Sequence, residues 1–405
     1  MQATPKSLRL HIALLGEVNS GKSSFLNLLT GQQISITSAV AGTTTDVVEK
    51  AQELPLLGPV LWLDTAGLSD QTELAAKRME KTLQALNKTD VALLICAHPL
   101  LTETEKEILQ LLEKQKIPVI RIYNKADTYQ ERTSNGIYVN SLDVKMRDHV
   151  LSALTGELLK LCPDDFINQP PLVGDLIPEH STVVMMIPLD YEAPKGRLIM
   201  PQVQAIRDCL DHNQNVIITK GNTYKNVLDN LKTPPSLVVC DSQIVDQMVK
   251  ETPRNIKCTT FSVLMARFKG DLCKLVHGAA MIRHLQDNDK ILIAESCTHH
   301  AVQDDIGRVK IPRWLTQKTQ KNLQIDYVNG CDFADHLSQY KLVIQCGGCT
   351  INRREMLSRI YQCEKAGVAV TNYGICISEL KGVLARVIEP FPEACTLYQA
   401  TKDKP

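Results

Sequence analysis

Short apolar runs separated by loops of glycine and polar residues mark out the first 165 residues. The runs His11–Leu15, Val60–Leu63 and Val119–Tyr123 have the length and aliphatic content of buried strands. Ser24–Leu29 and Asp148–Leu161 instead place their apolar residues at helical spacing. Strands that alternate with helices in this way predict an α/β domain built on a parallel sheet.

Two further regions repeat the pattern, the first of them after a proline-rich stretch at 163–171. Strands are predicted at Thr182–Ile187, Val216–Thr219, Ser236–Cys240, Lys290–Glu295, Gln324–Val328, Lys341–Gln345 and Val368–Thr371. Helices are predicted at Gln202–Leu210, Ser242–Val249, Val276–Leu285 and Glu355–Lys365. We therefore expect three α/β domains, at 1–165, 170–265 and 266–405.

Composition narrows the class of protein. Apolar residues make up 44% of the chain and charged residues 22%, which is ordinary for a globular protein. Lys plus Arg equals Asp plus Glu, 45 each, so no bulk charge attracts nucleic acid or a membrane surface. No apolar run approaches the roughly 20 residues that a spanning helix needs. We expect a cytoplasmic protein with neither a nucleic acid nor a membrane as partner.

A phosphate-binding loop joins the first strand to the first helix. Gly16 to Ser23 read Gly-Glu-Val-Asn-Ser-Gly-Lys-Ser between an apolar run and a helical pattern, which is the context that this motif requires. Backbone N–H groups of such a loop cradle phosphate oxygens, the lysine reaches the β/γ-phosphates and the hydroxyl binds Mg²⁺. The predicted nucleotide ligands here are Gly16, Asn19, Ser20, Gly21, Lys22, Ser23 and Ser24.

Two later motifs select guanine and GTP hydrolysis. Asp64-Thr65-Ala66-Gly67 follows a predicted strand, so Asp64 is expected to hold Mg²⁺ through water and the Gly67 N–H to sense the γ-phosphate. Asn124-Lys125-Ala126-Asp127 follows another, and the Asp127 carboxylate can accept both N–H donors of guanine, which adenine lacks. Thr43–Thr45 fits a switch loop, with Thr44 as the expected Mg²⁺ ligand. Val139-Asn140-Ser141 is the best candidate for a fifth guanine motif.

The catalytic set is therefore Lys22, Thr44, Asp64 and Gly67, in a P-loop GTPase domain. Leu68 stands where many small GTPases have a water-orienting glutamine. The phosphate loop with Asn19 resembles the TrmE–Era branch of GTPases. That resemblance implies that Asn19 helps to bind a K⁺ ion in place of an arginine finger, with K⁺-stimulated hydrolysis and pairing of G domains. A hydrogen bond within the loop is the alternative role for Asn19.

Three of the thirteen cysteines have the spacing of metal ligands. Cys297 follows the predicted strand Lys290–Glu295, and Cys346-Gly347-Gly348-Cys349 follows Lys341–Gln345. Open α/β sheets bind ligands at the carboxyl ends of their strands. Three thiolates fit an iron–sulfur cluster with one non-cysteine or open position, and they equally fit a structural zinc site with one histidine. Spacing alone does not decide between these metals.

Several motifs resemble the HydF family of FeFe-hydrogenase maturation GTPases. Beside the nucleotide motifs these are Pro188-Leu189-Asp190, Ala193–Arg197, Thr259–Ser262, Lys269-Gly270-Asp271-Leu272, Cys297-Thr298-His299, Cys346–Cys349 and Asn352–Met356. The resemblance implies a homodimer with a middle dimerisation domain and a last domain that binds a 4Fe–4S cluster at Cys297, Cys346 and Cys349. It also implies that the dimer receives a transient diiron precursor made with radical-SAM maturases and delivers it to apo FeFe-hydrogenase.

One position departs from that family. Many members have a histidine directly before the Cys-x-x-Cys pair, where this chain has Gln345. His299 and Asp304 are therefore equal candidates for a fourth cluster ligand, with solvent close behind. The alternative function is that of an RNA- or ribosome-associated GTPase with a structural zinc domain. Neutral net charge and only 4% aromatic residues count against it.

Overall fold

A computed structural model describes residues 4–31, 48–65, 74–130, 132, 135–161, 170–188, 198–296, 305–330 and 336–402, with the backbone alone for 74–80. The chain forms two compact units, residues 1–169 and 170–405. No helix in the described ranges is long and apolar enough to cross a membrane.

The first unit is an α/β domain around one six-stranded sheet. Its elements are β1 Leu10–Leu15, α1 Lys22–Thr30, β2 Val48–Leu54, β3 Gly58–Asp64, α2 Leu74–Asn87, β4 Val91–Cys96, α3 Glu103–Lys114, β5 Val119–Tyr123, β6 Ile137–Tyr138 and α4 Arg147–Leu161, with 3₁₀ turns at Lys6–Leu8 and Val144–Met146. The strand order in the sheet is β2-β3-β1-β4-β5-β6. β2 pairs antiparallel with β3, and the other pairs are parallel.

Burial on both faces explains why β1 is apolar from Ile12 to Leu15. Ile12 and Leu14 enter the core on one face of the sheet, and Ala13 and Leu15 enter the core on the other. A parallel strand covered by helices on both sides has no polar face, hence the continuous run in the sequence. The three strands predicted for this domain are confirmed, at β1, β3 and β5.

The second unit contains two four-stranded parallel sheets. Its strands are β7 Thr182–Met186, β8 Asn215–Thr219, β9 Leu237–Cys240, β10 Lys257–Thr260, β11 Lys290–Glu295, β12 Gln324–Asn329, β13 Leu342–Gln345 and β14 Ala369–Asn372. The strand orders of its two sheets are β10-β9-β7-β8 and β12-β11-β13-β14. Its α-helices are α5 Met200–Asp211, α6 Gly221–Asn230, α7 Val245–Glu251, α8 Phe261–Lys269, α9 Leu272–Ala280, α10 Ile311–Thr319, α11 Arg353–Lys365, α12 Tyr373–Leu380, α13 Leu384–Val387 and α14 Pro392–Lys402. Shorter helical turns lie at Ser242–Ile244, Met281–His284, Ile306–Lys310 and Leu337–Gln339.

One hydrophobic core joins the two sheets of the second unit. Val184 and Val239 of the first sheet and Leu292 and Val343 of the second belong to the same buried cluster. The predicted fold class is confirmed: a P-loop type domain precedes two smaller α/β domains. The predicted division at residues 265 and 266 falls inside α8, and the exact domain limits stay a prediction.

Candidate nucleotide site and cysteine loop

The phosphate loop depends on glycine at both ends. Gly16 has a φ of +147°, and a Cβ there would lie 2.3 Å from the Ile95 carbonyl oxygen. Gly21 has a φ of +91°, and a Cβ there would lie 2.2 Å from Asn124 Nδ2. Side chains at these two positions are excluded by contact as well as by backbone conformation. The loop therefore curls tightly and leads its N–H groups into the start of α1.

Lys22, Ser23 and Asp64 meet where β1, α1 and β3 converge. Lys22 Nζ donates to the carbonyl oxygens of Gly16 at 3.0 Å and Glu17 at 2.8 Å. Burial lowers the pKa of Lys22 to about 8, and the carboxylates of Asp64 and Glu17 partly offset that effect. The Ser23 hydroxyl donates to Asp64 Oδ2 at 3.0 Å. The geometry brings together the hydroxyl and the carboxylate that the sequence assigned to Mg²⁺.

Asp64 shows where a cation fits. Its second carboxylate oxygen, Oδ1, is buried and has no hydrogen-bond partner in the described part of the chain. Burial raises the pKa of Asp64, whereas the bond from Ser23 and the charge of Lys22 lower it. An ionised buried carboxylate with a bare oxygen is costly, and a divalent cation removes that cost. The donor chemistry of Ser23 and Asp64 fits Mg²⁺.

Asn124 links the phosphate loop to the predicted fifth guanine motif. Its Nδ2 donates to the Ser20 carbonyl oxygen at 2.9 Å. Its Oδ1 accepts from the backbone N–H of Ser141 at 3.1 Å and from the Ser141 hydroxyl at 2.8 Å. Lys125 and Asp127, just beyond the end of β5, are both exposed. Their positions leave both side chains accessible to a guanine base.

Part of the predicted GTPase machinery lies outside the described residues. Thr44, its neighbours in Thr43–Thr45, Gly67 and Leu68 all fall there. Asn19 is described: it is exposed and has a φ of 64°, in the left-handed region. Asparagine tolerates that conformation better than most residues. Its roles in nucleotide and K⁺ binding stay predictions.

The cysteine pair lies at the carboxyl edge of the last sheet, beside the end of β11. The N–H of Cys346 donates to the Ala294 carbonyl oxygen at 2.8 Å, which extends the ladder between β13 and β11. The N–H of Ser296 donates to Cys346 Sγ at 3.2 Å. Ser296 directly precedes Cys297, so the backbone before the third predicted ligand touches the first sulfur of the pair. Hydrogen bonds of this type tune metal-bound thiolates.

The two glycines between the cysteines have different surroundings. Gly348 is buried at a φ of +62°, and a Cβ there would lie 2.4 Å from the Met356 methyl carbon. A Cβ on Gly347, which is exposed, would meet nothing within 4 Å among the described residues. One side of the loop is thus packed against α11, and no described residue crowds Gly347 on the other side.

Lys269 holds the backbone of the same loop through hydrogen bonds. Its side chain is 1% exposed, and Nζ donates to the carbonyl oxygens of Gly348 at 3.3 Å, Cys349 at 3.3 Å and Ile351 at 3.0 Å. Burial lowers the pKa of Lys269 to about 8, and Cys349 opposes this. The pKa of the Cys349 thiol is raised, chiefly by desolvation and next by the negative charge of Cys346.

A second buried cation ties the strand ends together. Arg359 of α11, 3% exposed, donates to the Ser296 hydroxyl at 3.0 Å and to the Gly330 carbonyl oxygen at 2.9 Å. It also pairs with the buried Glu355 carboxylate at 3.0 Å. Sequence reasoning singled out neither Lys269 nor Arg359. Both nevertheless stand in segments quoted for the family resemblance or in a predicted helix.

Gln345 occupies the place of the missing histidine. It is 1% exposed, and its Nε2 donates to Met356 Sδ at 3.0 Å. Its Oε1 is buried without a hydrogen-bond partner in the described ranges. The side chain therefore packs against α11, the same helix that covers Gly348.

The structure brings together only part of the predicted cluster set. Cys297, His299 and Asp304 lie outside the described residues. Within the described residues, no group of three or more histidine, cysteine or acidic side chains could hold a metal ion. The described part of this site consists of the thiols of Cys346 and Cys349, the hydrogen bond from the Ser296 N–H to Cys346 Sγ, and the exposed Gly347. These features fit a cluster-binding loop that needs a third cysteine. The ligand set stays a prediction.

Comparison with known proteins gives three family matches along the chain. Residues 11–125 match a family described as 50S ribosome-binding GTPase. Residues 172–270 match the hydrogen maturase F dimerization domain, and residues 273–390 match its tetramerization domain.

Several individual proteins are similar to part of the chain. The tRNA modification GTPase MnmE of Janthinobacterium sp. (strain Marseille) is 35% identical over 164 residues, 38% of this chain and 34% of that protein. The GTPase Der of Kosmotoga olearia is 30% identical over 129 residues, 30% of this chain and 29% of that protein. The chain thus spans about a third of the length of these curated relatives. A solved structure of Aquifex aeolicus Era bound to GDP·AlF₄⁻ is 20% identical, covers 52% of this chain and 93% of that one, and has a TM-score of 0.32.

The fold and the phosphate loop together define a P-loop GTPase domain, which two further α/β domains follow along the chain. Those two domains carry the matches to hydrogen maturase F, 99 and 118 residues long, or 217 of the 405 in the chain. The chain belongs to the hydrogen maturase F (HydF) family.

Proposed function

We propose that the first unit binds GTP with Mg²⁺ and hydrolyses it as a switch. The convergence of Lys22, Ser23 and Asp64, with a bare buried oxygen on Asp64, supports this site. Lys22 would neutralise charge on the β/γ-phosphates, and Ser23 and Asp64 would hold the cation. Thr44 and Gly67 complete the catalytic set as the switch contacts, and Asp127 reads guanine.

Potassium is proposed as an activator of hydrolysis. Asn19 is exposed on the phosphate loop in the left-handed conformation, which supports a side chain accessible to an ion. We expect GTP turnover to be several-fold faster in KCl than in NaCl at equal ionic strength, since K⁺ adds the positive charge that an arginine finger supplies elsewhere. An Asn19→Ala variant should lose that difference. Equal rates in both salts for the unaltered chain would exclude a potassium site.

The second unit is proposed to hold a 4Fe–4S cluster at Cys297, Cys346 and Cys349. The main support for this site is a hydrogen bond at the carboxyl edge of the sheet: the N–H of Ser296, the residue before Cys297, donates to Cys346 Sγ. Three thiolates would come together there, with His299, Asp304 or solvent at the fourth iron. When bound, the cluster supplies an iron with an exchangeable ligand, and the chain's own residues orient the thiolates.

The resulting protein is a maturation scaffold. Membership of the hydrogen maturase F family supports a homodimer that receives a diiron precursor from radical-SAM maturases and passes it to apo FeFe-hydrogenase. The matches to dimerization and tetramerization domains support self-association through the second unit. The same matches favour this proposal over an RNA- or ribosome-associated GTPase with a structural zinc. Binding of the chain to RNA at low salt would count for that alternative.

Electron paramagnetic resonance with metal analysis tests the proposal. After anaerobic reconstitution and reduction by dithionite, we expect about four irons per chain and an S = ½ signal. Single Ser variants at Cys297, Cys346 and Cys349 should lose both, whereas Cys376→Ser, at a buried thiol elsewhere in the same unit, should keep them. A silent sample with one zinc per chain would overturn the cluster and with it the scaffold.

A further inference from the structure

Lys269 is a buried cation whose hydrogen-bond partners all belong to the cysteine loop and its exit. An ammonium group has three N–H donors, and three carbonyl oxygens accept from this one: those of Gly348, Cys349 and Ile351. Carbonyl oxygens can satisfy the donors of a lysine but cannot balance its charge. No carboxylate of the described residues lies within ion-pair distance of Nζ.

Other buried cations of this unit are treated differently. Arg359 pairs with Glu355, and Arg386, which is 5% exposed, pairs with Glu389. Lys269 has no carboxylate partner among the described residues, and it is the negative charge of Cys349 that opposes the lowering of its pKa. Burial of an unbalanced charge costs free energy, and negative charge added on the loop would offset that cost. Thiolates that hold an iron–sulfur group add such charge.

The position of Lys269 also favours its charged form. It is the last residue of α8, and the C-terminal end of a helix carries partial negative charge. Arg353, at the start of α11, donates to the carbonyl oxygen of Phe268 at 2.7 Å. The end of α8 is therefore fixed against the segment that leads out of the cysteine loop.

We propose that Lys269 is a positioning residue for the cluster: its ammonium fixes the backbone of the Cys346–Cys349 loop and places an uncompensated positive charge beneath the thiolates. This rests on the proposed cluster site. It assigns to the Lys269-Gly270-Asp271-Leu272 segment a task that its sequence alone does not reveal. Because α8 lies in the part of the chain that matches the dimerization domain, the same side chain joins that domain to the cluster loop.

Two variants separate the hydrogen bonds of Lys269 from its charge. Lys269→Met removes both, and Lys269→Gln keeps an amide donor without the charge. Each reconstituted full-length chain is titrated electrochemically with detection by electron paramagnetic resonance, and iron loss to a chelator is timed. A nearby cation stabilises the reduced, more negative cluster, so both variants should show a more negative midpoint potential. Lys269→Met should release iron about tenfold faster, and Lys269→Gln should fall between it and the unaltered chain.

Lys274→Met is the matched control, because Lys274 is a half-exposed lysine of the next helix that pairs with Glu364 at the surface. It should keep the potential and the iron-release rate of the unaltered chain. If Lys269→Met does not fold, as judged by circular dichroism of the apo chain, Lys269→Gln decides. An unaltered midpoint potential in a folded, loaded Lys269→Gln would overturn the proposal. Failure of the unaltered chain to hold iron would instead remove the cluster site itself.

Discussion

Asp64 carries a cost in the nucleotide-free protein that a cation would relieve. It is 7% exposed, and only one of its two oxygens is bonded within the described residues. Burial raises its pKa, so the folded state holds the proton more tightly than the unfolded chain does. The group therefore favours folding below its unfolded pKa and opposes it once pH rises past the folded value. At neutral pH the ionised carboxylate is destabilising.

Asp64→Asn should consequently have opposite effects on stability and on nucleotide binding. Without ligand at pH 7, the midpoint of unfolding of the first unit should rise by roughly 2–4 °C, as for a gain of about 1 kcal/mol. Affinity for GTP in Mg²⁺ should fall at least about tenfold, because an amide is a poorer cation ligand than a carboxylate. Differential scanning calorimetry and titration calorimetry measure the two effects. A lower midpoint in the apo variant would contradict the assigned cost.

The guanine specificity predicted for Asp127 makes a base switch testable. Replacing Asp127 by Asn turns one acceptor into a donor, which suits xanthine better than guanine. Loss of two charge-assisted bonds should weaken GTP binding by about 30- to 100-fold, while affinity for xanthosine triphosphate rises. Asp148→Asn, at an exposed position at the start of α4, serves as the control and should change neither. Unchanged GTP affinity in Asp127→Asn would place base recognition elsewhere.

At the residue scale, the spacing of residues within a motif predicted those functional groups that lie close together along the chain. The interval from Gly16 to Ser23 needs no tertiary information, because loop and helix are contiguous. Ser141, 17 residues from its partner Asn124, was within reach of the same reasoning. Lys269 is 79 to 82 residues from the carbonyl groups it holds, and no local pattern indicates such a contact.

Helix packing at the element scale is most constrained at Gly278. A Cβ on Gly278 of α9 would lie 1.9 Å from the Val370 carbonyl oxygen of β14. Gly278→Ala should therefore push the helix off the sheet and destabilise the second unit by roughly 1–3 kcal/mol. Gly156→Ala in α4 is the matched control, since a Cβ there meets no described residue within 4 Å and alanine favours a helix interior. Hydrogen exchange should quicken in α9 and β14 for the first variant only; equal protection in both would contradict the close packing.

Strands were easier to predict than helix limits. The expected strand at Lys290–Glu295 matches β11 residue for residue, because its four central residues are buried on both faces of the sheet and are all apolar. The expected helix Val276–Leu285 instead begins at Leu272, where the Asp271 side chain accepts from the Lys274 N–H, and passes into a 3₁₀ turn after Ala280. Side-chain caps of this kind decide helix ends, and apolar spacing does not register them.

At the scale of the whole molecule, the cores of the two units are separate in sequence. The buried residues of the two cores in the first unit all lie between Leu10 and Leu158. Those of the two cores in the second unit lie between Leu172 and Tyr398. Two sheets share one core in the second unit, and apolar patterns alone could not foresee that sharing. Because each unit has its own cores, we expect the two units to unfold in separate transitions.

Unfolding of the full chain should show two transitions that respond to different ligands. A non-hydrolysable GTP analogue with Mg²⁺ at about 100 times its dissociation constant should stabilise the first unit by roughly 2.7 kcal/mol, because it binds the folded state alone. Cluster loading should raise the other transition. Calorimetry of the apo, nucleotide-bound, cluster-loaded and doubly loaded chain separates these terms. Additive shifts would mean that the two sites do not communicate within one chain, so that any effect of GTP on cargo transfer passes through a partner; a shift of the cluster transition by nucleotide would instead be the coupling free energy between them.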